Sequence, residues 1–113
     1  MLTIASNPID TARVVTLAGR IDATNARQLE EQCLAWIDGG DKRLIFDLAQ
    51  VQYISSAGLR TFLLAARKMS SVEGEIRLAA LNQTLSHVFD ISGFNRLFAI
   101  YPALEAALAP EPS

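Results

Sequence analysis

One stretch limits the possible folds more than any other. Leu44-Ile45-Phe46-Asp47-Leu48 is a nearly continuous apolar run, as expected of an interior strand. Val51 and Tyr53-Ile54 carry it toward Ser55-Ser56-Ala57-Gly58. From there a helical pattern takes over, with Leu59, Phe62, Leu63, Ala66 and Met69 on one face. The spacing predicts a helix from about Ser56 to Ser70. Strand, short loop and helix in this order place a serine hydroxyl beside the first, unpaired N–H groups of a helix. A serine there can cap the helix, act as a nucleophile or carry a phosphate.

The flanking segments fit the same alternation. Leu2 to Ala5 is a short strand candidate, Asn7-Pro8-Ile9-Asp10 carries turn residues, and Arg13 to Ala18 reads as a second strand ended by Gly19. A helix begins near Thr24, with Asp22 or Thr24 as N-cap and Gly39-Gly40 as stop. Ala26, Leu29, Cys33, Trp36 and Ile37 share its apolar face, while Arg27, Gln28, Glu30, Glu31 and Gln32 take the others. Cys33 is expected to be buried and inert. Ile76 to Ala80 is a further strand, and Asn82 caps a helix over about Gln83 to Ile91, stopped by Ser92-Gly93. Leu97 to Tyr101 reads as a last short strand, with Pro102 opening a helix over Ala103 to Leu108. The order β-β-α-β-α-β-α-β-α predicts an α/β fold, a mixed four- to five-stranded sheet packed with about four helices.

Composition removes several functions. The 113 residues suit a single domain over 1–109, with 110–113 as a flexible tail, and a 50% hydrophobic chain can build a core without staples. A single cysteine excludes an intramolecular disulfide or a thiolate metal cluster. Net charge is −2, so nothing points to nucleic acid, and no apolar run approaches the roughly 20 residues of a membrane helix. No signal peptide is visible, and a cytoplasmic protein without membrane insertion is the default.

The serines do not fit familiar catalytic frames. A nucleophile elbow needs Gly-x-Ser-x-Gly, but Ile54 stands where the first glycine belongs. The only histidine, His87, lies mid-helix and reads as a surface residue rather than a base. No metal-ligand spacing and no Gly-Lys-Ser/Thr phosphate loop exist. Asp47 lacks the acidic companions of a phosphoacceptor site and reads as structural, or as a hydrogen-bond partner of a nearby loop. Two readings of Ser56 remain from physics alone. Either it is an N-cap, worth about 1 kcal/mol, or it accepts a phosphate bringing roughly −1.5 to −2 charges. Leu64, on the otherwise polar stripe Arg60, Leu64, Arg67, Ser71, is either incidental or a partner contact.

Three segments add a resemblance. Tyr53-Ile54-Ser55-Ser56-Ala57-Gly58-Leu59-Arg60 resembles the signature loop of STAS domains, in particular of anti-sigma factor antagonists. Gly19-Arg20-Ile21-Asp22 resembles the family's Gly-x-(apolar)-Asp segment, and Ile91-Ser92-Gly93-Phe94 with Leu97-Phe98 its Ser-Gly-(apolar) turn. The resemblance implies the STAS fold and a partner-switching role without enzymatic activity or cofactor. The partner would be a serine-kinase anti-sigma factor, which phosphorylates the antagonist and thereby releases it. A PP2C-type phosphatase would reset it. Ser56 aligns with the acceptor, and Ser55, where relatives carry aspartate, is a competing one. Asp22, Ser55, Ser56, Ala57, Gly58, Arg60, Leu64 and Arg67 would form the contact face. Two rival readings stand beside this: a stand-alone STAS subunit regulating a membrane transport complex without phosphorylation, and a small hydrolase using Ser56.

Overall fold

The computed structural model describes residues 1–109; the expected tail, 110–113, lies outside the described residues. Its central strand is the apolar run, β3 (Arg43–Ile54). Leu44, Phe46 and Leu48 alternate onto one face, but the next apolar residues, Val51 and Ile54, follow at intervals of three. The pairing with β2 (Ala12–Ile21) explains this. Thr16 faces Asp47 and Ala18 faces Gln50, then Gly19 faces Val51 and Arg20 faces Tyr53. At each step β3 holds one extra residue, a bulge. Each bulge resets the phase, so all five apolar residues point into the same core. The Asp47 carboxylate accepts from the Ala49 N–H (3.1 Å) in the first bulge, which is its structural task.

β1 (Leu2–Ile9) pairs antiparallel with β2, while β2, β3, β4 (Glu75–Ala79) and β5 (Ala99–Tyr101) run parallel, in spatial order β1-β2-β3-β4-β5. This is the mixed α/β sheet expected. In β1 and β2 two boundaries differ. Pro8 lies inside β1 rather than in a turn, as an edge strand tolerates, and the chain reverses at Asp10-Thr11. Gly19 does not end β2; it takes φ +112° within it and sits so close to the Met1 carbonyl that any side chain would collide.

Helices α1 (Ala26–Asp38), α2 (Ser56–Ser71) and α3 (Gln83–Ile91) cover one face of the sheet, burying Leu29, Cys33 and Ile37, Phe62 and Met69, and Leu85 and Phe89. All five phenylalanines, Phe46, Phe62, Phe89, Phe94 and Phe98, join in one ring network with centroids 5.1–6.4 Å apart. Phe98 reaches it from a segment expected to be strand: a 3₁₀ turn over Phe94–Arg96 precedes it, and β5 begins only at Ala99. The opposite face carries a smaller cluster, Ala12, Val14, Ile45 and Ala79, closed by Ala107 of α4 (Leu104–Leu108). α4 starts at Leu104, one residue after its expected start at Ala103. Arg77, 1% exposed on β4, donates through Nη1 to the carbonyls of Ala107 (2.8 Å) and Ala109 (2.9 Å) and holds this helix down.

Candidate functional site

The strand-to-helix loop ends β3 beside the end of β2. The Ser55 N–H donates to the Ile21 carbonyl (2.8 Å), which fixes the loop against β2. Ser55 then takes extended angles, and its hydroxyl accepts from the Gly58 N–H (3.2 Å). Ser55 is therefore the N-cap of α2, the role that sequence reasoning weighed for Ser56. Ser56 becomes the first helical residue. It is exposed, and its hydroxyl takes part in no hydrogen bond among the described residues.

Gly58 was expected on the contact face. It is buried instead, because α2 meets the strand ends there. A Cβ on it would stand 2.7 Å from Ile21 Cγ2 and 2.8 Å from Ile54 Cγ1. One turn on, the buried Thr61 hydroxyl donates to the Ala26 carbonyl of α1 (3.2 Å) and ties the two helices together.

Between α1 and α2 runs an open groove of about 800 Å³. α2 contributes Ser56, Ala57, Arg60, Thr61 and Leu64; α1 and the residue chain before it contribute Ala23, Ala26, Arg27 and Glu30. Leu64 is half-buried in this groove, so it is not an incidental exposed leucine. The structure thus brings Ser56, Ala57, Arg60 and Leu64 together. Arg67 is exposed on α2 but lies outside the groove. The α1 side was not singled out from sequence, since Arg27 and Glu30 looked like ordinary solvated helix positions.

Asp22 is a neighbour of the loop, not a wall of the groove. Its Oδ1 accepts from the Thr24 hydroxyl (2.5 Å) and N–H (3.0 Å), and these bonds hold its carboxyl below the usual carboxylate value. Its own N–H donates to Asn25 Oδ1 (3.0 Å), while Asn25 Nδ2 donates to the Arg20 carbonyl (2.8 Å). Asn25, not Asp22 or Thr24, occupies the N-cap of α1, and its amide braces the loop instead of capping.

A model of the STAS domain matches residues 3–107. The chain belongs to the STAS domain family. Several similar proteins are named as anti-sigma factor antagonists. BtrV of Bordetella bronchiseptica, named a putative anti-sigma factor antagonist, is 39% identical over 108 residues, which is 96% of this chain and 93% of the relative. The anti-sigma-B factor antagonist of Bacillus subtilis is 31% identical over 87 residues, 76% of this chain and 78% of its own. The crystal structure of an anti-sigma factor antagonist from Mycobacterium paratuberculosis superposes with a TM-score of 0.87 at 26% identity, covering 96% of this chain and 92% of the other.

Other chemistry-bearing residues of this STAS domain lie elsewhere. His87 is exposed on α3 and is not among the residues lining the groove. Cys33 is 1% exposed beneath α1, and burial pushes its thiol up to about 12. Among the described residues, no group of acids, histidine and cysteine is arranged to hold a metal ion, and no helix is long and apolar enough to cross a membrane.

Proposed function

We propose that this chain is an anti-sigma factor antagonist in a partner-switching circuit, and that its switch is Ser56. In the unphosphorylated state the α1–α2 groove docks on a serine-kinase anti-sigma factor in the cytoplasm and displaces the sigma factor. The Ser56 oxygen then attacks the γ-phosphorus of the kinase's ATP. ADP leaves, and the hydroxyl proton passes to a base of the kinase. A PP2C-type phosphatase hydrolyses the ester and restores the hydroxyl. The chain itself is a substrate and not an enzyme.

The observation that carries this reading is the division of labour between adjacent serines. Ser55 is half-buried and bound to the Gly58 N–H, whereas Ser56 is exposed, without a hydrogen bond among the described residues, and open to the groove. A phosphate on Ser56 would stand at the helix N-terminus, where the dipole tolerates it, so α2 need not melt. What changes is the charge on a contact surface.

The test has two parts. Peptide mapping of the protein isolated from its cells finds phosphate on Ser56. In affinity capture, Ser56→Ala retains the kinase and Ser56→Asp loses it. Equal capture by both variants, or phosphate confined to other residues, overturns the reading.

A further inference from the structure

The groove contains a cation whose position relative to Ser56 has a consequence for the switch. Arg60 lies four residues after Ser56 on α2, and both line the same groove, so their side chains are neighbours on one helix face. Arg60 is exposed and takes part in no hydrogen bond or ion pair among the described residues. The other charged groups facing the groove are Arg27 and Glu30 of α1. Arg27 is already engaged by Glu31 (3.2 Å), one turn along its own helix. The Asp22 carboxylate does not line the groove and is held by Thr24. With Arg27 taken up by Glu31, Arg60 is the lining cation left for a new anion, and Glu30 is the lining carboxylate that balances it. A phosphate of about −1.5 to −2 charges makes the groove anionic.

We propose that Arg60 is the intramolecular receptor of the phosphate. When Ser56 is phosphorylated, the guanidinium of Arg60 turns back one turn and pairs with the phosphate oxygens. This arrangement is the favourable one for a helix, with the anion N-terminal to the cation. The planar fork of arginine suits two phosphate oxygens at once. The modification then does more than add charge: it withdraws the unpaired cation of the groove from any docking partner. This inference rests on the reading of Ser56 as the acceptor, but the pairing itself is a property of the chain and can be tested without the kinase.

The experiment uses full-length protein carrying phosphoserine installed at position 56 during translation, followed by phosphorus NMR across the second ionisation of the phosphate. Pairing favours the dianion and lowers the midpoint. Arg60→Gln therefore raises it, by roughly 0.2–0.4 of a pH unit for a surface pair one turn apart. Arg60→Lys keeps part of the effect, and Arg67→Gln, outside the groove, leaves the midpoint where it was. The helix dipole acts equally in all four proteins and drops out. Arg60 is exposed, and amide spectra of the unphosphorylated variants verify that each is folded. Equal midpoints in the parent and Arg60→Gln, or an equal shift from Arg67→Gln, overturn the inference. Failure of the underlying reading looks different: the midpoint shift is present, but protein from cells carries no phosphate on Ser56.

Discussion

At Gly58 the helix and the strands approach so closely that hydrogen is the only side chain that fits. A methyl group there must displace Ile21 and Ile54, both of which belong to the core. Gly58→Ala is expected to cost roughly 1–3 kcal/mol, as overpacking does. Urea unfolding would register it as a lower midpoint at unchanged slope. The motif glycine was legible in sequence, but its reason was not. Ser-Ala-Gly suggests a turn or a contact surface, whereas the clash arises from residues 37 positions earlier and 4 positions earlier in the chain (Ile21 and Ile54). Leu64 is a similar case. Its helical position was readable, yet only the neighbouring α1 makes it a groove residue.

At the scale of the element, the decisive detail is a one-residue offset at the start of α2. Periodicity locates a helix to within a residue or two, and both Ser55 and Ser56 are good capping residues. The backbone chooses: Ser55 is extended and its oxygen meets the Gly58 N–H. Ser55→Ala is expected to lose about 1 kcal/mol of stability, measured by denaturant titration, while Ser56 stays exposed on the first turn. A stability unchanged from the parent would show that the cap contributes nothing. Asn82, by contrast, was read correctly as a cap, because no competing capping residue adjoins it on the helix side; its Oδ1 accepts from the Leu85 N–H (2.8 Å). Pro8 and Gly19 misled for a shared reason. Both usually interrupt strands, and both sit where this sheet accommodates them, one on an edge and the other at an irregularity. The bulges of β3 left a trace that could have been read: Leu48, Val51 and Ile54 abandon the two-residue period while staying apolar.

For the whole molecule, alternation of strands and helices made the α/β class readable, but not the strand order or the face that each helix covers. The most consequential hidden feature was Arg77. In sequence it is one polar residue in a short strand; in the fold it is a buried clamp. Nη1 bonds two carbonyls at the end of α4, Nη2 meets Glu75 Oε1 (3.1 Å), and the guanidinium lies 5.6 Å from the centre of the Tyr101 ring. Arg77→Met fills the space without serving those carbonyls. Its expected cost is roughly 2–4 kcal/mol, with faster amide exchange concentrated in α4. Uniform exchange across the sheet would indicate instead that the clamp supports the whole core.

The burial of Cys33 makes the molecule convenient to study. A thiol sealed under α1 and ionising near 12 stays unmodified at neutral pH in the folded state. A cysteine introduced at the exposed Glu105, behind the sheet on α4, would therefore take a dye or a biotin alone. The protein could be tethered to a surface by its back, with the serine loop facing the solution.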